Sequence, residues 1–306
     1  MAAQNARLGI ALMIVTTAVF AVQDAISRHL AGEYNVLMVV AIRYWAFAAL
    51  ALGLAARRPG GIRAAARSAQ PLAQAARGAL LAAEICVTVL AFVLLGLVQA
   101  HAIFAVYPLL IVALSGPMLG ERVGPVRRAA VAAGFLGILV ILRPGFAVFD
   151  PAAPIALLAA GMFAIYGILT RRVARTDGAA TSFFWTGTVG AAAMTPFGVW
   201  AWEPMAPADW AWMALICCTG IGAHWLLIRA YEVAEASAVQ PFAYLQLVFV
   251  SIIGVTLFGE RIDPMLALGA GIVVGAGILA ILREGRAQRV DTAPGSAAPA
   301  APPPGA

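Results

Sequence analysis

The chain has 306 residues, of which 63% are hydrophobic and only 11% charged. A soluble globular domain carries about 25% charged residues, so this composition excludes that class and points to a chain housed in a bilayer. All twenty basic residues are arginine, and the way they are spread makes the net charge of +6 a topology signal rather than a nucleic-acid surface.

Apolar stretches of spanning length are expected at 8–30, 34–56, 78–97, 100–119, 126–145, 154–171, 180–200, 210–231, 237–258 and 264–283. About 20 residues of helix cross a bilayer's hydrocarbon core. Span 1 follows Arg7 and runs on through Gln23 and Asp24 to Leu30. That is too long for a signal-peptide core, so an uncleaved span is expected. Span 2 carries Arg43 near its middle, and the loop after it holds Arg57, Arg58, Arg63, Arg67 and Arg77. Span 3 carries Glu84. Span 4 opens on Gln99 and His101 and continues through Tyr107 and Pro108. Tyr166 lies in span 6. Spans 7 and 8 flank a hairpin with Trp200, Trp202, Trp210 and Trp212, an aromatic belt at the headgroup level. His224 and Trp225 lie in span 8, and Gln240, Pro241, Tyr244 and Gln246 in span 9. In span 10, Gly271 and Gly275 form a G-x-x-x-G, a packing signal and a possible dimer face.

One six-residue signature occurs twice, as Gly120-Glu121-Arg122-Val123-Gly124-Pro125 and as Gly259-Glu260-Arg261-Ile262-Asp263-Pro264. A matching run follows each copy, Gly137 to Arg143 and Gly277 to Arg283. The chain therefore reads as a duplication: repeat 1 over 1–148 (spans 1–5), repeat 2 over 149–285 (spans 6–10), and a disordered Ala/Pro-rich cytoplasmic tail over 286–306. Five spans is an odd number, so the second repeat enters from the opposite face. The expected fold is all-α integral membrane, ten transmembrane helices as two inverted five-helix repeats. With both termini in the cytoplasm, sixteen arginines fall inside, Arg28, Arg143 and Arg261 fall outside, and Arg43 lies within a span. This is the positive-inside pattern of a multi-pass protein of the cell's inner membrane. Within the signature, Pro125 and Pro264 suit the first turn of the next helix and Asp263 suits its cap.

The layout resembles the drug/metabolite transporter superfamily, in particular its ten-span carriers with two EamA domains. The resemblance rests on Gly120-Glu121-Arg122, Ile141-Leu142-Arg143-Pro144-Gly145, Pro241-Phe242-Ala243-Tyr244 and Phe258-Gly259-Glu260-Arg261. The stretch from Asp24 to Arg43, with the run from Pro241 to Glu260, is similar to carriers of the S-adenosylmethionine type. The resemblance implies a secondary carrier of a small organic metabolite, such as an amino acid or a nucleoside-like or S-adenosylmethionine-like compound. It also implies a central cavity lined by both repeats.

Polar side chains at membrane depth mark candidate sites. An arginine at a helix centre costs about 2.5–3.5 kcal/mol on insertion scales, so Arg43 is expected to face inward. It would either pair with Asp24 or Glu84 or bind a substrate carboxylate or phosphate through its planar fork. Glu84 would serve proton exchange, attract a cation, or join that ion pair. Asp24 precedes Arg28 by one helical turn, so a local pair is the plainer expectation for it. His101, Tyr107, His224, Trp225, Gln240 and Tyr244 complete the candidate substrate-binding set, with packing as the alternative role for each. Pro108 and Pro241 are expected to interrupt the partner spans 4 and 9. No cofactor, metal site or catalytic residue is expected. His29, His101 and His224 lie far apart in sequence, and Cys86, Cys217 and Cys218 have no ligand spacing. A membrane-embedded enzyme is the alternative class, but the chain has no Gly-x-Ser-x-Gly or H-E-x-x-H and, lacking lysine, no Walker A. The expected partners are the substrate, the lipid bilayer and, through the G-x-x-x-G, a second copy.

Overall fold

A computed structural model of the protein describes residues 5–121, 124–142 and 150–291. Arg122 and Val123 of the first signature, the expected external Arg143 with Pro144 and Gly145, and the tail from 292 onward lie outside the described residues. Every regular element among the described residues is a helix. They run α1 (Ala6–Glu33), α2 (Val36–Ala56), α3 (Gly61–Ala66), α4 (Pro71–Leu95), α5 (Leu97–Phe104), α6 (Tyr107–Leu119), α7 (Pro125–Leu142), α8 (Ala153–Val173), α9 (Ala179–Trp200), α10 (Asp209–Val233), α11 (Ala236–Ala243), α12 (Leu245–Phe258) and α13 (Pro264–Asp291).

Among the described residues, seven segments are long and apolar enough to cross a membrane: α1, α2, α4, α5 with α6, α8, α10, and the stretch Ala238–Phe258. The apolar stretches in α7 and α13, Val131–Ile141 and Pro264–Ala276, are shorter.

Local chemistry sets the helix ends. The Asn5 and Asn35 side chains accept from the Leu8 and Leu37 N–H groups and cap α1 and α2. Pro71 opens α4 in the first turn, where its missing N–H costs nothing. Span 3 therefore starts seven residues earlier than the expected 78, and Arg77 lies inside a helix instead of in a loop. At Gly96 the chain takes φ 81°, ends α4 and starts α5. Pro108 sits in the first turn of α6, so the break in span 4 falls just before it, at Ala105 and Val106. The matching break in the second half falls at Tyr244, after Pro241.

Both signatures close a helix in the same way. Gly120 (φ 68°) ends α6 and Gly259 (φ 63°) ends α12, each in the left-handed conformation. The Glu121 N–H donates to the Ser115 carbonyl at 3.2 Å and the Glu260 N–H to the Gly254 carbonyl at 3.0 Å. These are left-handed C-terminal closures, for which glycine is the favoured residue. Pro125 and Pro264 then begin α7 and α13, and the Asp263 carboxylate accepts from the Met265 N–H at 2.7 Å.

The packing carries the duplication into three dimensions. α1 lies against α10, α11 and α12, and its counterpart α8 lies against α4, α5 and α6. α2 packs on α9 and α7 on α13, each pair joining one helix with its own counterpart. The largest buried cluster draws on both halves, with Phe20, Phe92, Phe104, Phe163 and Tyr244 among its members. α7 and α13 approach closely where Gly137 meets Gly269: a β-carbon at Gly137 would come within 2.8 Å of the Gly269 carbonyl. Gly271 and Gly275 face open space instead, so the G-x-x-x-G is not the seam within this chain.

Candidate functional site

The broken helices and the central helices α1, α2, α4, α8 and α10 surround a cavity of about 40 Å³. Its polar lining is Gln23, Asp24, Ser27, Arg43, Glu84, Thr88, His101, His224 and Gln246, with Phe20, Phe92, Phe104 and Phe163 as aromatic walls. The structure thus brings together five of the sequence candidates: Asp24, Arg43, Glu84, His101 and His224. All five are buried.

Asp24 differs from its plainer expectation. Its carboxylate meets the His101 Nε2 at 3.1 Å and accepts from the Gln246 Nε2 at 2.8 Å. The other His101 nitrogen, Nδ1, lies 3.0 Å from the Leu97 carbonyl, and the ring stacks on Phe92 at 4.7 Å. Arg28 turns instead to Glu260, 232 residues away in sequence. The Asp24 carboxylate one turn earlier is already taken up by His101 and Gln246, which leaves Arg28 to Glu260.

Arg43 forms an ion pair with neither Asp24 nor Glu84. Its Nη1 reaches the Ser27 Oγ at 3.4 Å, and no carboxylate lies within salt-bridge distance among the described residues. Glu84 accepts from the Thr88 hydroxyl at 2.5 Å, one turn along α4, and has no cationic partner among them. Both His224 ring nitrogens are buried without a hydrogen-bond partner among the described residues. The ring sits edge-on to Phe20 at 5.2 Å and to Tyr166 at 6.3 Å. A guanidinium, a carboxylate and an imidazole with little protein to satisfy them share one small cavity. Buried polar groups are ordinarily paired, and these three are the exceptions in the cavity wall.

The remaining candidates lie outside that wall. Tyr107 packs on Phe104 and Phe163 at 4.9 Å each. The Gln240 Nε2 donates to the Tyr231 hydroxyl at 2.6 Å, and the Tyr244 hydroxyl has no partner among the described residues. Trp225 faces away, edge-on to Phe183 at 5.2 Å, and lines a separate groove.

Gln23, Ser27, Thr88 and the phenylalanines were not singled out from sequence. Register between the halves carried the signal. Phe20, Gln23, Ser27 and Arg28 on α1 stand a constant 143 residues before Phe163, Tyr166, Thr170 and Arg171 on α8. Arg77 was missed as well. It is fully buried and donates to the Gln74 Oε1 (2.9 Å), the Ser182 carbonyl (2.6 Å) and the Thr186 hydroxyl (2.8 Å). Those acceptors are neutral and tie α4 to α9, away from the cavity.

Fold and site together describe a polytopic membrane protein of two homologous halves around a central polar chamber. The chain belongs to the EamA-like transporter family, which it matches twice, over residues 7–143 and 151–283. It is 31% identical over 196 residues to a riboflavin transporter of Rhizobium johnstonii, covering 62% of this chain and 64% of that one. It is 23% identical over 276 residues to an S-adenosylmethionine uptake transporter of Rickettsia prowazekii, covering 90% of this chain and 93% of that one. A riboflavin transporter of Vibrio cholerae is 31% identical over 188 residues, with 58% and 59% covered. A solved crystal structure superposes with a TM-score of 0.65 at 20% identity, over 92% of this chain and 98% of its own; that likeness concerns the fold.

Proposed function

We propose that the protein is a secondary carrier that moves a small charged metabolite by alternating access between ten spans arranged as two inverted repeats. Both termini are placed in the cytoplasm and the protein in the inner membrane. The family and the named relatives support a carrier over a membrane-embedded enzyme. The observation that carries the reading is the central cavity, where Arg43 and Glu84 of the first half lie without an ion pair between them and the second half adds His224 and Gln246. About 40 Å³ admits no more than a few waters, so a metabolite enters only when the halves move apart.

Arg43 is assigned to an anionic group of the substrate and Glu84 to a cationic one, with His224 between the aromatic walls and Asp24, His101 and Gln246 as a braced polar floor. Tyr107, Gln240 and Tyr244 are assigned to the path that opens when the halves part. Trp225 is left out, because it faces another groove. Two unpaired charges of opposite sign favour a zwitterionic metabolite of the S-adenosylmethionine type over an uncharged flavin.

Uptake by proteoliposomes of radiolabelled S-adenosylmethionine and of riboflavin, with and without a pH gradient, tests this. We expect S-adenosylmethionine uptake, and a loss of about tenfold or more in Arg43→Lys and in Glu84→Gln, the scale of one charge-assisted hydrogen bond. Uptake that both variants leave untouched would remove the site while leaving the family assignment. A cysteine at 57–77 should react with an impermeant reagent only in broken cells, and one at 203–209 in intact cells; the reverse would invert the topology. Blue-native mobility of a Gly271→Leu, Gly275→Leu double variant tests the homodimer, which we place on the open face of α13.

A further inference from the structure

We propose that the groove beside Trp225 is a binding site for an anionic phospholipid, wedged between the two repeats. It rests on the chain's spanning a bilayer and not on what the chain carries. The groove measures about 260 Å³, several times the central cavity. Its walls come from both halves. Leu50 and Leu54 on α2 and Ala65 on α3 stand on one side, with Phe183, Phe184 and Trp225 on α9 and α10 on the other. Leu50 and Leu54 are each 43% exposed, so the groove opens to the outer, lipid-facing surface and not to the chamber.

The one charged residue in the lining is Arg58, just past the end of α2 and therefore at the level where headgroups begin. Arg57, Arg63 and Arg67 follow in the same connection, and no acidic residue occurs between 57 and 70. The connection is anchored at that depth, because the Trp185 indole N–H donates to the Ala66 carbonyl at 3.2 Å. An apolar slot under a cationic rim matches an acyl chain under a phosphate. A zwitterionic lipid offers the same chain without the net charge, so charge complementarity selects the anionic one.

Gly222 makes the site testable. It lines the groove, and a β-carbon there would meet nothing within 4 Å. A side chain at Gly222 thus starts into the slot without a clash at its β-carbon, and Gly222→Phe is the substitution chosen to fill it. Purified protein in neutral detergent is titrated with dioleoyl phosphatidylglycerol and, separately, dioleoyl phosphatidylcholine; bound lipid is read by native mass spectrometry and stability by the melting temperature. We expect phosphatidylglycerol to bind roughly fivefold more tightly, the effect of one arginine at an anionic headgroup. It should raise the melting temperature, and Gly222→Phe should abolish that rise. Arg58→Gln, an exposed change, should equalise the two lipids while chain binding persists. Equal binding of both lipids by the wild type, or a full phosphatidylglycerol response in Gly222→Phe, would overturn the proposal.

Discussion

The seams at Glu260 and Glu121 descend from one signature, share the same glycine closure, and yet hold the molecule differently. The Glu260 carboxylate accepts from the Leu97 and Val98 N–H groups at 2.8 and 2.7 Å and pairs with Arg28, whose guanidinium also lies 4.2 Å from the Phe258 ring. It therefore caps α5, a helix of the other repeat, and takes a cation from α1. Glu121 meets Arg171, the counterpart of Arg28, at 3.5 Å, and its Oε2 has no hydrogen-bond partner among the described residues. Arg171 spends its better bond on the Tyr231 carbonyl at 2.9 Å. Identical parts in unequal use show that the duplication supplies two fastenings and that this conformation engages one fully. Under the alternating access proposed above, one glutamate would tighten as the other lets go.

The largest effect is expected at the tight seam. Glu260→Gln removes three charge-assisted contacts at a mostly buried position and should cost about 2–4 kcal/mol of stability, read as a fall in melting temperature. Glu121→Gln removes one long contact from a carboxylate whose Oε2 already lacks a partner, and should cost about 1 kcal/mol or less. Equal losses would break the comparison. Next come the glycines, which do the same work on both sides. Gly120→Ala and Gly259→Ala each force alanine into the left-handed region and should each cost about 1–2 kcal/mol. A large difference between them would mean that the closures themselves, and not the carboxylates, set the asymmetry.

The smallest effect concerns the end of the molecule that carries Arg171. There Asp177 accepts from the Ser68 hydroxyl (2.5 Å), the Ala69 N–H (2.9 Å) and the Gln74 amide (2.8 Å). Burial works to raise its carboxyl, but the hydrogen bonds from Gln74, Ser68 and Ala69, with Arg77 nearby, outweigh it and hold the group below its ordinary range. A lowered carboxyl contributes stability above its unfolded value and loses it as pH falls toward the folded one. The wild type should lose melting temperature between about pH 5 and about pH 3, and Asp177→Asn should lose less over that range. The same slope in both would show that this end is not held by Asp177.

Local rules made part of the seams legible in sequence: prolines in first turns and the Asp263 cap follow from neighbours within a few residues, whereas the left-handed Gly120 and Gly259 were not singled out. The duplication and the membrane setting followed from repetition and hydropathy. Partner choice did not follow. Nothing near Arg28 says that it reaches past Asp24 to Glu260, and nothing near Asp24 names His101 and Gln246. Those choices depend on which helices meet, which is a property of the packed whole. Arg77 was misplaced because polar residues at a span's mouth lower the hydropathy, although Pro71 already marked the helix start. Glu84, Arg43 and His224 were found because charge and imidazole are conspicuous among apolar neighbours. Phe20 and Phe163 were overlooked because phenylalanine in a membrane helix is ordinary until the two halves are set in register.

For a carrier whose chamber is this small, each turnover would also be work done on the lipids around it. Rocking of the two halves, as proposed above, would widen the protein in one leaflet and narrow it in the other. Lateral packing of the lipids therefore enters the energy of the two conformations with opposite sign. A membrane with unequally packed leaflets would bias which way the molecule rests before any substrate arrives, and the tight seam at Glu260 is the fastening that this bias would strain or relieve.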